Sequence, residues 1–256
     1  MPLVEEKLAK SLSAESVDLI PYLPYLLQDL WELGSAPKDM IHLLSKHIKM
    51  TPKIRVLDLA CGKGAVGIQI AKKFGCFVKG IDIIPEFITE AKKKAQEYQV
   101  EALCEFIQGD INQSVEHEKD SDMVILGAVG DVLGSQEQTL IKLAKTIKRN
   151  GYVLLDDGYA QEEGNPLCMT KKEWLKVISQ CNFNLVDELF VDETEFSLVL
   201  AEQIEVITKR TDELKAQYPE KASLFDAYLK SQLSECEELT TEIRGVTLLL
   251  QKKQSK

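Results

Sequence analysis

Apolar positions along this chain fall into two kinds of run. Short and nearly continuous apolar stretches with branched residues occur at 54–59, 76–82, 104–108, 122–127, 152–155 and 184–191. Each has the length of a strand buried on both faces of a parallel sheet. Between them lie stretches whose apolar residues recur at helical spacing: 65–73, a segment opened by Pro85, 136–149 and 170–181. Pro85 suits the first turn of a helix, Asn150-Gly151 reads as the stop of the third helix, and Thr170 with Glu173 forms a capping box for the last. Strands alternating with helices predict an α/β domain.

Two regions depart from that alternation. The first fifty or so residues are helical in character. Ser13 and Ser16 open a segment reaching Leu33, interrupted by Pro21 and Pro24, and a second helix runs over 37–49. Leu23, Leu26, Leu27 and Leu30 share a face, with Tyr22, Tyr25 and Trp31 beside them. These aromatics either pack the helix onto the sheet, the simpler reading for Trp31, or cover a cationic ligand with their faces. Residues 193–244 are mostly helix formers with Pro219 in the middle, and read as a hairpin of two helices, 197–218 and 219–243. A last apolar run, 245–251, follows. The predicted organisation is an N-terminal helical cap over 1–50, a sheet domain over 51–192 and 245–252, and a helical insertion over 193–244. The insertion must bury a mixed apolar stripe on the sheet, on the N-terminal helices or on a second copy of the chain, so it is read as a lid, a homodimer arm or plain packing.

Length and charge narrow the function. A chain of 256 residues buries one sizeable core. Its formal net charge is −10, and its Lys and Arg residues do not gather into a stripe, so a nucleic-acid partner is not expected. The six cysteines contain no C-x-x-C pair and read as reduced, packed thiols. The acidic first residues do not resemble a signal peptide, and no window approaches a membrane span, so a cytoplasmic protein without membrane contact is expected.

The chemistry concentrates at residues 54–67. A strand runs into Cys61-Gly62-Lys63-Gly64, whose glycines accept positive φ and let a ligand approach the backbone at the start of a helix. Gly62-x-Gly64-x-x-Gly67, with Asp82 downstream, also satisfies the dinucleotide fingerprint. Asp58 separates the readings. A carboxylate at that strand end would repel a pyrophosphate and attract a ligand bearing an ammonium and a sulfonium. Asp58-Leu-Ala-Cys-Gly-Lys-Gly64 resembles the first motif of class I S-adenosylmethionine-dependent methyltransferases.

That resemblance implies a Rossmann-like seven-stranded sheet of order 3-2-1-4-5-7-6 with strand 7 antiparallel, and S-adenosylmethionine as cofactor. The glycine bend from Ala60 through Cys61, Gly62 and Gly64 would lie against the donor. Asp82 would hold the two ribose hydroxyls, with Ile83 beside it; Ile84, Phe87 and Ile88 can cover one face of the adenine, and Phe87 equally suits the core. Asp110 would accept from the adenine amino group while the amide of Ile111 meets a ring nitrogen. Gly127, with Ala128 and Gly130, would leave room for the transferable methyl, and Tyr25 is the aromatic assigned to the cationic donor. Asp156 and Asp157 raise the metal-dependent type of the family, but Gly127 stands where that type needs a carboxylate, and His42, His47 and His117 offer no ligand pair; no metal is expected. Asp131, Asp156, Asp157 and Tyr159 are positional candidates for a base, and no catalytic residue is assigned. The implied activity is methyl transfer to a small-molecule acceptor. A nicotinamide-dependent oxidoreductase, disfavoured by Asp58, and a protein that binds the donor without using it remain as alternatives.

Overall fold

The computed structural model describes residues 4–165 and 168–254. In chain order the elements are α1 (Val4–Ser11), a 3-10 turn (Val17–Tyr22), α2 (Leu23–Leu26), α3 (Pro37–His47), β1 (Arg55–Leu59), α4 (Ala65–Phe74), β2 (Phe77–Asp82) and α5 (Pro85–Glu97). They continue with β3 (Cys104–Gln108), α6 (Ile111–His117), β4 (Ser121–Leu126), α7 (Gln136–Thr146), β5 (Ile147–Ala160), α8 (Lys171–Gln180) and β6 (Phe183–Phe190). Last come α9 (Glu193–Gln217), a 3-10 turn (Pro219–Lys221), α10 (Ala222–Thr241) and β7 (Ile243–Lys252). The end of the polar tail, residues 255 and 256, lies outside the described residues, as do residues 1–3 of the N-terminal stretch.

The strands form one sheet in the order β3-β2-β1-β4-β5-β7-β6. β1 is parallel to both β2 and β4, and β7 is antiparallel to β6. This is the sheet that the family resemblance implied. Each face carries its own core. Leu57, Leu59, Val124, Leu126, Val153 and Leu155 pack on one side with Trp174 of α8, while Val56, Met123, Ile125 and Leu154 pack on the other with Met40, Leu43 and Leu44 of α3. Strands buried on both faces need the continuous apolar runs seen in the sequence.

Two sequence expectations change. The helix expected over 136–149 ends at Thr146, and its C-cap residue Ile147 is already extended. Ser121 pairs with Ile147 and Met123 with Tyr152, so the start of β5 carries extra residues as a bulge. Asn150, at φ 61, and Gly151 turn the chain within that bulge. A residue pair suited to a helix stop is equally suited to a left-handed bend in a strand. The N-terminal segment expected from Ser13 or Ser16 to Leu33 is likewise broken up. The hydroxyl of Ser16 caps a 3-10 turn by accepting from the amide of Asp18 at 3.2 Å, and Pro24 opens the single turn of α2.

The chain groups into two units: Met1–Leu30 with Val191–Arg244, and Trp31–Phe190 with Gly245–Lys256. The division differs from the three parts expected, because residues 31–50, placed with the N-terminal cap, belong to the sheet unit. In the helical unit α9 and α10 form an antiparallel pair, with Lys215 bonded to Asp226 at 2.8 Å. Tyr22 sets its ring edge-on to Tyr218 and Phe225. Leu19, Leu23 and Leu26 are buried, as are Ile207, Leu214 and Phe225. The N-terminal segment and the hairpin thus share one unit. Arg210 donates to Asp29 at 2.6 Å and to Glu213 at 2.7 Å, and Tyr25 donates to Glu213 at 2.6 Å.

Candidate functional site

The bend after β1 is held by backbone and carboxylate together. The amide of Cys61 donates to the carbonyl of Ile81 at 3.0 Å, and the amide of Gly64 to that of Cys61 at 2.8 Å. Ala60, Gly62 and Gly64 all have positive φ, at 54, 52 and 75°. For the glycines this is free of cost, whereas Ala60 bears a left-handed conformation that costs about 1–2 kcal/mol. Strain of that kind persists where surrounding bonds fix the chain, and it gathers at ligand sites.

Asp82 supplies one of those bonds. Its Oδ2 accepts from the amide of Gly62 at 2.8 Å and its Oδ1 from the amide of Ile84 at 2.9 Å. The end of β2 and the glycine bend are therefore tied through one carboxylate. Burial pushes the Asp82 carboxyl up, and the amides of Ile84, Gly62 and Ile83 work against that rise.

Asp58 is buried and incompletely paired. It is 3% exposed, and its Oδ2 has no hydrogen-bond partner among the described residues. Burial pushes its carboxyl up to about 7, eased by the Gly67 amide and aggravated by nearby Asp82. Gly67 is required beside it, since a Cβ there would stand 3.0 Å from Oδ2 and 2.8 Å from Val78. A buried anionic oxygen without a partner is costly in the protein alone, and a cation completes it. The residues therefore fit a cationic donor and suit a pyrophosphate poorly.

The other expected residues divide. Phe87 and Ile111 are buried, and the ammonium of Lys63 lies 5.6 Å from the Phe87 ring centroid. The carbonyl of Ile83 accepts from the Gln108 side chain at 3.2 Å. Asp110 caps α6, its Oδ1 accepting from the amide of Asn112 at 2.8 Å. Cys61 turns toward β2, where a Cβ on Gly80 would come within 2.9 Å of its sulfur. Its thiol is raised well above the usual range, by burial first and then by Asp58 and Asp82. Tyr25 belongs to the helical unit.

At Gly127 the space is taken up by the protein itself. A Cβ there would stand 2.5 Å from the hydroxyl oxygen of Ser35, and that oxygen accepts from the amide of Ala128 at 3.3 Å. Sequence reading missed Ser35, as it did the burial of Lys63, which is 4% exposed within the bend. Ser35 lies in an unpatterned link before α3, where only the folded contact reveals its role. The lysine could have been noticed from its place between two glycines.

Trp31 follows the simpler of its two readings. Its indole N–H donates to the carbonyl of Lys63 at 3.1 Å, and its ring lies against Tyr98, so it braces the bend. Among the positional candidates for a base, Asp156 and Asp157 lie within β5, which runs on to Ala160 and so past the expected end at Leu155. Tyr159 donates to Glu188 at 2.9 Å, which with burial holds its phenol protonated. Among the described residues no group of three or more His, Cys, Asp or Glu is placed to hold a metal ion, and no helix is long and apolar enough to cross a membrane.

Known proteins match this arrangement. A family model described as a methyltransferase domain matches residues 50–205. The uncharacterized protein YjhP of Escherichia coli K12 is 31% identical over 119 residues, covering 45% of this chain and 46% of that protein. A ubiquinone biosynthesis O-methyltransferase of Rickettsia akari is 31% identical over 103 residues, covering 40% of this chain and 39% of that one. These alignments thus span under half the length of each curated relative. Among solved structures, a methyltransferase from Geobacter sulfurreducens in complex with S-adenosyl-L-homocysteine superposes with a TM-score of 0.77 at 18% identity, over 91% of this chain and 98% of that one. The structure of YjhP gives 0.75 at 16% identity, over 90% and 100%. With the sheet order and the glycine bend described above, the family match over more than half its length establishes that this chain belongs to the methyltransferase domain family, of the class I type that uses S-adenosylmethionine.

Proposed function

We propose that the protein transfers a methyl group from S-adenosylmethionine to a small-molecule acceptor. The observation that carries this reading is the unpaired, buried Oδ2 of Asp58 beside the glycine bend. When bound, S-adenosylmethionine supplies an activated methyl on a sulfonium. Asp58 would answer the donor's ammonium, and the rigid bend would take its backbone-facing side. Asp82 has about four lone-pair sites on its two oxygens, so beyond the amides it already accepts from it remains able to receive a ribose hydroxyl. Phe87, Asp110 and the Ile111 amide are the residues assigned to the adenine.

Methyl transfer is an in-line displacement, so the protein's task is to align donor and acceptor and exclude water. The bend is suited to this because it is bonded at both of its strands. A small acceptor is favoured over nucleic acid by the net charge of −10, since phosphate backbones bind through Lys and Arg. Two relatives named as uncharacterized RNA methyltransferases, from Streptococcus mutans and Clostridium tetani, match over only 12% and 40% of their own lengths.

Calorimetry with S-adenosylhomocysteine and with NADH tests the reading. Binding of the first and not the second is expected. Binding of NADH alone would replace methyl transfer with hydride transfer. Binding of S-adenosylhomocysteine without methyl transfer to any acceptor in a cell extract would make this a donor-binding module.

A further inference from the structure

The acidic excess of this chain is confined to one of its units. Across Trp31–Phe190 and Gly245–Lys256 the acidic and basic residues are equal in number, so the whole formal charge of −10 falls in the helical unit. At about 0.01 M ionic strength the screening length is about 30 Å. Under those conditions a net charge of −10 favours the approach of cations over anions.

A separate observation lies in the part of β5 that runs beyond the end of β4. Asp156 and Asp157 are consecutive, so their side chains leave opposite faces of the strand. Asp58 pairs with Ile125 and Ile125 with Leu154, which puts Asp156, two residues beyond Leu154, on the same sheet face as Asp58. Its Oδ1 accepts from the hydroxyl of Thr247 at 2.6 Å, and the Ser35 hydroxyl approaches the same carboxyl. Its Oδ2 is buried without a hydrogen-bond partner among the described residues. Asp157 is partly exposed, and its Oδ1 accepts from the amide of Gly158 at 2.6 Å. Burial pushes both carboxyls up to about 6, eased by the Ser35 and Thr247 hydroxyls at Asp156 and by the Gly158 amide at Asp157. In open α/β sheets ligands bind outside the carboxyl ends of the strands, and Asp156 is the first β5 residue past Leu155, which pairs with Leu126 at the end of β4.

We propose that the methyl acceptor is an amine taken up as its ammonium, and that the carboxylate of Asp156, on the same sheet face as Asp58, receives its N–H groups. This rests on the methyl-transfer reading above. The ammonium first gives one proton to that carboxylate, which frees the nitrogen lone pair. That pair then forms the new C–N bond while the C–S bond breaks with its electrons left on sulfur. The product leaves as a methylated ammonium, and the carboxylic acid returns its proton to solvent.

The test uses the full chain, a small-molecule cell extract and S-adenosylmethionine with a trideuterated methyl group, with products read by mass spectrometry. A trideuteromethyl group on an amine nitrogen is the expected result. Label on oxygen, sulfur or carbon, or no labelled amine at all, overturns the assignment. Calorimetry with S-adenosylhomocysteine on the same sample keeps two failures apart: absence of binding defeats methyl transfer itself, whereas binding without a labelled amine defeats only the acceptor class. Asp156→Asn should keep S-adenosylhomocysteine affinity and lower amine labelling at limiting acceptor by at least about tenfold. Unchanged labelling in this variant overturns the role of that carboxylate. Should the variant fail to fold, the wild-type product still decides the acceptor class. Raising ionic strength from about 0.01 to 0.15 M should slow labelling at limiting amine, and no slowing would remove the charge argument.

Discussion

The carboxylate of Asp82 accepts from the amide of Gly62 across the gap between two strand ends, at 2.8 Å. Its other oxygen accepts from Ile84. Asp82 therefore has a structural part beyond any ribose contact. Asp82→Ala is expected to weaken S-adenosylhomocysteine binding and also to lower the denaturant midpoint, at about 1–3 kcal/mol for each buried amide left unpaired. Calorimetry and urea unfolding read the two effects separately. Unchanged ligand affinity in a destabilised variant would leave Asp82 as a brace alone.

Ser35 fills the space over Gly127, so that position tolerates no side chain. Gly127→Ala is expected to cost about 1–3 kcal/mol, because the new Cβ has to displace a hydroxyl oxygen 2.5 Å away. Ser35→Gly in the same chain should recover part of the loss by removing that hydroxyl. A single Gly127→Ala variant as stable as the parent would contradict the geometry.

Trp31 donates to the carbonyl of Lys63 inside the bend, whereas Trp174, the other tryptophan, is buried under the sheet. S-adenosylhomocysteine binding is expected to change the tryptophan fluorescence, and Trp31→Phe should abolish most of the change. A signal that survives Trp31→Phe would place the perturbation elsewhere.

The raised carboxyls give the ligand-free chain an unusual pH profile. Asp58, Asp156 and Asp157 have folded values of about 7, 6 and 6, above the usual carboxylate range. Between about pH 4 and pH 7 the folded chain therefore holds more protons than the unfolded chain, and stability falls as pH rises through that window. Asp187 works the other way at lower pH: its carboxyl, held down to about 2 by Lys46 and His47, contributes stability that is lost as pH falls toward that value. Urea midpoints should be lower at pH 7.5 than at pH 5 by this mechanism, with Asp58→Asn flattening the fall. A midpoint that climbs over this range would refute it.

The parts legible in the sequence were those with a local physical signature. A strand buried on both faces writes itself as a continuous apolar run, and the bend at Gly62 and Gly64 needs residues that accept positive φ, so β1 to β4 and the turn after β1 could be placed in advance. Thr170 and Glu173 form the expected capping box at α8. What could not be read depends on long-range contacts. Asn150-Gly151 suits two structures equally, and only the pairing of Ser121 with Ile147 decides for a bulge. Ser35 shows its importance only against Gly127, and the grouping of the first thirty residues with α9 and α10 follows from packing such as Tyr22 on Phe225.

The sheet interrupts itself between its last two strands. β6 leaves at Phe190 and β7 returns beside it, with Phe190 paired to Val246. The polypeptide thus departs and re-enters at neighbouring points, and a turn of about two to five residues could join them directly. The intervening helices are thus spliced into a hairpin whose own pairing asks nothing of their length.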